Sequence, residues 1–260
     1  RNGDARVCSG ERADHAAPEV RLKSRRVDLR GEVQTGGGFF FLVELLDAAG
    51  FWQSARAGIL ESLGRPGSER ETQLKDLLWE LSSVAHISRA NRRAVIGDDD
   101  LTPEILNDFV NALHKVHRHT VKRTHHTLRA LVLLGAGDLE LQDIGEAFLT
   151  GNGEREAWGL PAPTLTAQES VRDISRLIAL AGPSVLALDQ IDTLLAQSVD
   201  RTDTAGAAGN RDLEQVAHGL MSIRQTMRRT VGVVACLPAA WEAIQDRATA
   251  TVQDRFRTTA

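Results

Sequence analysis

Short apolar runs that close on an acid alternate along this chain with stretches whose apolar residues recur every three or four positions. The run Ser184-Val185-Leu186-Ala187-Leu188 follows Gly182-Pro183 and switches abruptly to Asp189. Such a run, with β-branched Val185 in it, reads as a buried strand of a parallel sheet. Phe39-Phe40-Phe41-Leu42-Val43 is the most apolar run in the chain, and Glu44 and Asp47 follow it. It reads as a second core strand emerging at a polar rim. Val231 to Cys236 is a third, and Val20 to Arg30 alternates loosely enough to be a strand or a basic arm.

Helical periodicity fills the space between these runs. Phe51, Trp52, Ala55, Ile59 and Leu63 keep a 3.6 period, and Gly64-Arg65-Pro66-Gly67 breaks it. Ser68 and Glu71 have capping-box spacing ahead of the stripe Leu74, Leu77, Leu78, Leu81. Thr102 caps a helix with Pro103 at its first position and Glu104 in its first turn. The apolar face from Ile105 to Val132 predicts one long helix to Leu134, or two with a bend, ended by Gly135-Ala136-Gly137. Gln142 to Leu149 is a shorter helix. Thr166 and Glu169 repeat the capping-box spacing before a helix through Val171, Ile174, Leu177 and Ile178. Gln197 to Asn210 is polar and rich in Gly, Ala and Thr, and reads as a mobile surface loop. Leu213, Val216, Leu220, Ile223 and Met227 predict a helix from about Arg211, and Pro238 starts another.

Composition narrows the class without naming a function. At 260 residues the chain forms one large domain or two small ones. A formal charge of -4 makes no global case for nucleic acid or membrane binding. Cys8 and Cys236 are far apart and suggest neither a disulfide framework nor a metal knuckle, which fits a reducing cytoplasmic setting. No apolar run approaches membrane-spanning length. The chain starts at Arg1 rather than Met and reads as a fragment or a trimmed chain.

The candidate chemistry centres on Asp189. Open α/β sheets keep their ligands at the carboxyl ends of strands. An acid there can hold Mg²⁺, directly or through water, beside nucleotide phosphates. The competing reading is an acid that ends a core strand for solubility or caps the following helix. Asp192 follows three positions later, and it too has a structural reading, as a helix-start carboxylate meeting free backbone N–H groups.

Phe39–Glu44, Leu186–Asp192, Val231–Leu237 and Asp254–Phe256 resemble, in their order, the core of P-loop ATPases of the AAA-like and signal-transduction branch, and Phe39–Asp47, His86–Arg92, Leu188–Leu195 and Ala235–Trp241 carry the closer likeness. They look like actinobacterial ATP-binding proteins related to the large ATPase of phage growth limitation defence. The resemblance covers roughly residues 38 to 257, although its specific motifs are short. It implies a three-layer α/β core with a mostly parallel sheet, incomplete at one or both ends, and with a helical insertion over about 68–165. Residues 1–37 fall before that core as an irregular or degenerate segment. Arg6 to Gly10 reads as a remnant of strand one entering the phosphate loop.

By position, Asp189 resembles the Walker B acid that associates with Mg²⁺. Gln190 stands where many of these ATPases place the glutamate that polarises the attacking water, and an amide orients water but accepts its proton poorly. Asp192 is the carboxylate that would substitute. Cys236 matches the sensor position after strand four, with ordinary core the favoured reading. Arg255, in Asp254-Arg255-Phe256, resembles the arginine that ring ATPases offer to a neighbour's nucleotide, and a plain salt bridge is its favoured reading. The resemblance thus implies ATP, Mg²⁺ and a homo-oligomer or larger defence-type complex. Its serious departure is the missing Gly-Lys-Ser/Thr: no Gly-Lys pair occurs anywhere. Hydrolysis is therefore expected to be weak or absent, and the alternative is a protein-interaction scaffold with an ATPase-like fold.

One further constellation stands apart. Lys115, Arg118, Lys122 and Arg129 crowd one region with His114, His117, His119, His125 and His126. The first three charges have spacing that places them on one helical face. Such a strip suits phosphate backbone, but it lacks interleaved aromatics. A solvated face paired with neighbouring Asp and Glu is the favoured expectation. Gly97-Asp98-Asp99-Asp100 reads as a solvated turn, because adjacent carboxylates diverge and repel.

Overall fold

The computed structural model describes residues 6–10, 38–45, 50–152, 158–162, 164–192, 208–247 and 257–259, with backbone alone for 6–10, 208–215, 243–247 and 257–259. The chain is a mixed α/β fold with a small three-stranded parallel sheet flanked by helices. It divides into two compact units, one of residues 1–58 with 184–260 and the other of Ile59–Pro183.

The first unit holds the sheet. Its strands are β1 (Arg6–Gly10), β2 (Phe39–Glu44), β3 (Ser184–Asp189), β4 (Thr230–Cys236) and β5 (Arg257–Thr259), in the order β2-β3-β4-β1-β5. β2, β3 and β4 are parallel, with Phe41 opposite Leu186 and Leu188 opposite Val234. Alternation then sorts the side chains. Phe41, Val43, Leu186, Leu188 and Val234 share one face and are at most 1 % exposed. The other face is less covered, with Phe40, Val185 and Val233 half-buried and Val231 exposed.

Helices bury the first face. α1 (Phe51–Leu63) approaches β2 at Gly58, where a Cβ would lie 2.7 Å from the Leu42 carbonyl oxygen. The helix Ala208–Thr226, here α8, lays Leu220 and Ile223 over Leu188 and Val234, around a small apolar cavity beside Gly232. Phe51 packs against Gly219 of α8 where a larger residue would not fit. Pro238–Arg247 forms α9, with proline at its first position as expected.

The second unit is helical: α2 (Gln73–Val84), α3 (Arg89–Val95), α4 (Pro103–Val116), α5 (Arg118–Leu134), α6 (Leu139–Thr150) and α7 (Ala167–Ala181). Leu77, Leu78, Leu81, Leu106, Phe109, Leu113, Leu128, Leu131, Ile174 and Leu177 are fully buried in this unit. Thr166 and Glu169 complete the capping box of α7 in both directions. Trp79 carries the Arg70 and Arg92 guanidiniums at 3.9 and 4.6 Å from its ring centre.

Some local signals resolve differently from expectation. Ser68 does not cap α2; Thr72 does, accepting from the Lys75 N–H at 3.2 Å. The Ser68 N–H and hydroxyl instead donate to the Asp76 carboxylate, which organises the turn before the helix. The helix after Gly137 starts at Leu139, earlier than Gln142, because Asp138 caps it. α8 starts at Ala208, inside the last residues of the expected loop, whose remainder lies outside the described residues. Asp47, Val20–Arg30 and Arg255 also lie outside them.

Candidate functional site

The carboxyl ends of β2, β3 and β4 lie side by side, so the polar residues that close each strand gather at one rim. Asp189 ends β3, the middle of the three parallel strands. It is half-buried, and its Oδ1 accepts the Gln190 N–H at 2.8 Å. Its backbone carbonyl accepts from the Leu45 N–H at 3.0 Å, which ties the ends of β2 and β3 together. Glu44 is the register partner of Asp189 and is exposed. Directly opposed residues of neighbouring strands share a face, so the two carboxylates flank one spot on the rim. Glu44 was legible only as a polar rim residue; the signal was the same strand-then-acid pattern that marks Asp189.

Gln190 turns the chain out of β3 with φ at 66°, in the left-handed region that only a few per cent of non-glycine residues occupy. Its side chain is half-buried.

Asp192 is placed by a long-range bond. Its Oδ1 accepts the Leu237 N–H at 2.9 Å. The Leu237 carbonyl accepts from Trp241 at 3.1 Å, so Leu237 is the flanking residue at the start of α9. Asp192 therefore ties the exit of β3 to the exit of β4. A backbone N–H does meet this acid, and it belongs to the start of α9, 45 residues further along the chain.

Cys236 is 2 % exposed. It shares the parity of Val234 and faces the helix-covered side, whereas Asp189 has the parity of the opposite face. The two do not converge. Arg255 lies outside the described residues.

β1 bears on the missing phosphate loop. It pairs antiparallel with β4, Arg6 opposite Cys236 and Gly10 opposite Gly232. The chain therefore leaves Gly10 at the sheet end remote from Asp189. A strand one that feeds a phosphate loop beside the Walker B acid needs the other direction, so the remnant-strand expectation for Arg6–Gly10 fails on strand polarity.

Among the described residues no group of three or more His, Cys, Asp or Glu side chains is placed to hold a metal ion. Mg²⁺ does not require such a cage, because it keeps waters and substrate oxygens and takes one or two carboxylates. Asp189 and Glu44 fit that limited role.

Comparison with protein-family models, curated proteins and solved structures finds no match.

The second candidate region is the α4–α5 hairpin. His117 breaks the helix with φ -122° and ψ 53°, so Lys115 ends α4 while Arg118 and Lys122 belong to α5. The single helical face expected for the three does not exist; they meet across a corner. Arg129 donates to Asn107 Oδ1 at 2.6 Å. Burial holds the Arg129 guanidinium below its ordinary value. The His125 and His126 rings lie 3.8 Å apart between centres, tilted by 42°. Burial, then the charges of His125 and Arg129, push the His126 ring below the usual histidine range. Asp98 pairs with Lys75 at 3.3 Å, and Asp99 with Arg93 at 2.8 Å. The acidic turn is thus partly paired surface.

Proposed function

We propose that the sheet unit is an ATPase-type module that binds a Mg²⁺-nucleotide at the rim around Asp189 and turns it over slowly or not at all. The observation that carries this reading is the position of Asp189 at the carboxyl end of the central parallel strand, half-buried and beside Glu44. Ligands of open parallel sheets approach from that end. The strand order also supports it. β4 lies between the acid-bearing β3 and β1, as the extra strand does in the branch the sequence resembles. A three-layer core and assembly into a homo-oligomer or larger defence-type complex belong to the same proposal.

Mg²⁺, when bound, would supply positive charge that offsets that of the phosphates. The chain's own contribution is narrower. Asp189 and Glu44 would hold the ion through oxygen, and Gln190 would orient a water without accepting its proton. Asp192 is committed to Leu237 and serves the frame. With no P-loop lysine, phosphate charge is under-compensated, which is the physical basis for slow turnover.

Titration of the chain with ATP, with and without Mg²⁺, tests this by calorimetry. The expected result is Mg²⁺-dependent binding that Asp189→Asn weakens by about tenfold, roughly 1.4 kcal/mol, with turnover below about 10⁻² s⁻¹. Absence of binding up to about 1 mM nucleotide, or equal binding by the Asn variant, refutes it. The second reading, a scaffold that works by protein contact, is favoured by the reversed β1 and by the capture of Asp192 for backbone capping.

A further inference from the structure

The α4–α5 corner carries a field of cations without ion-pair partners among the described residues. From Asp108 to Asp138 the intervening chain holds no carboxylate, yet it contains Lys115, Arg118, Lys122, Arg123 and Arg129. Arg129 is engaged with Asn107. The other four are exposed. Among the described residues the ion pairs of this unit form elsewhere, at Arg65–Glu61, Lys75–Glu71, Arg93–Asp99 and Arg176–Asp173. None of the four exposed cations has an ion pair or side-chain hydrogen bond among the described residues. The strip is the solvated face expected of it, but the expected Asp and Glu partners are not found among the described residues, and Arg123, absent from the expected set, belongs to it.

Geometry concentrates the charge. Arg118 and Lys122 are one turn apart on α5, and with Arg123 they occupy its solvent-exposed side, away from the buried Val121, Thr124, Leu128 and Leu131. Lys115 adds to it from the end of α4. α5 has no acid in its first turn and no side-chain cap, so its dipole is not offset there. Lys115 also lines a polar concavity with Ser88, Asn91, Asp108, Asn111 and His114, which supplies hydrogen-bonding groups next to the cations.

We propose that the Lys115–Arg118–Lys122–Arg123 face binds the phosphate backbone of nucleic acid without sequence preference. The partner is a polyanion because none of the four cations is ion-paired among the described residues. It is nucleic acid rather than a lipid surface because a membrane-lying helix pairs its cations with an exposed apolar face. Here the apolar face of α5 is buried inside the unit, and Val116 is the one large apolar residue exposed at the corner. This inference is independent of the nucleotide reading and concerns the other unit of the chain.

Fluorescence anisotropy of the full chain against a labelled duplex of about 20 base pairs, from about 50 to 200 mM KCl, tests it. The expected log–log salt slope is about -3 to -4, near 0.9 per neutralised phosphate. Arg118→Glu with Lys122→Glu lowers affinity by about tenfold or more and reduces the slope by about 2. Single Lys122→Gln and Arg123→Gln variants keep the test readable if the double reversal fails to fold, each reducing the slope by about 1. Arg93→Gln, which removes a cation already paired with Asp99, leaves binding unchanged. Three results overturn the proposal: no binding at the lowest salt, reversal and neutralisation variants that bind like the wild type, or salt-sensitive binding to phosphatidylserine vesicles without binding to the duplex.

Discussion

Gly145→Ala should destabilise the helical unit even though alanine is the better helix former. Gly145 lies in the interior of α6, where glycine costs about 1 kcal/mol relative to alanine. Taken alone, that term predicts stabilisation. The crossing of α6 over α5 reverses the sign. A Cβ at Gly145 would lie 2.5 Å from the Ala130 carbonyl oxygen and 2.6 Å from the Leu134 nitrogen. Both are backbone atoms of α5, so no side chain can swing aside. The helices must separate, and the packing of Leu141, Phe148 and Leu149 loosens with them. Overpacking of this kind costs about 3 kcal/mol, the upper part of its usual range, because rigid backbone is what must move. The net effect is about 2 kcal/mol of lost stability after the propensity gain. With a urea dependence of about 2 kcal/mol per molar, the unfolding midpoint falls by about 1 M. The assay is urea unfolding followed by circular dichroism. Gly64→Ala is the control, because its Cβ would meet nothing nearer than the Glu61 carbonyl oxygen at 3.4 Å. It should shift the curve by less than about 0.5 kcal/mol, as surface substitutions do. A midpoint for Gly145→Ala at or above the wild type refutes the reasoning, and so does an equal loss in both variants.

Two further outcomes follow from single side chains. Asp192→Ala removes the acceptor for the Leu237 N–H and should cost about 1 kcal/mol, as loss of a capping oxygen does, whereas Asp192→Asn keeps an acceptor and should cost little; urea unfolding checks both, and equal losses would mean that charge matters rather than the bond. Asp173 is buried, and burial raises its carboxyl above the ordinary range against the opposing pull of Arg172 and Arg176. Its folded state therefore binds a proton more readily than its unfolded state, so its contribution to stability falls as pH rises from the unfolded value, about 3.9, through the raised folded value. Asp173→Asn should gain stability relative to the wild type across that window, measured as the difference between two pH profiles of unfolding free energy, and parallel profiles would refute it.

The sequence by itself determined the elements that rest on short-range physics. The 3.6 period placed α1, the Thr102–Pro103 pair placed the start of α4, and Thr166 with Glu169 placed α7, because a period or a cap depends on residues a few positions apart. The three core strands were equally legible, since a short apolar run closed by a polar switch marks a buried strand wherever it lies. Only the tertiary structure decided the rest. Strand polarity is one case: Arg6–Gly10 is a strand in sequence, but its antiparallel pairing with β4 depends on how distant segments meet. Choice of hydrogen-bond partner is another, as with Ser68, which had capping spacing but was taken by Asp76, and Asp192, which bonded Leu237 far along the chain. The basic strip is the last, because whether a cation is neutralised depends on which carboxylates the fold brings near it. Local pattern fixes what each segment can form, whereas direction, partner and charge balance are settled by contacts between segments that the sequence does not place side by side.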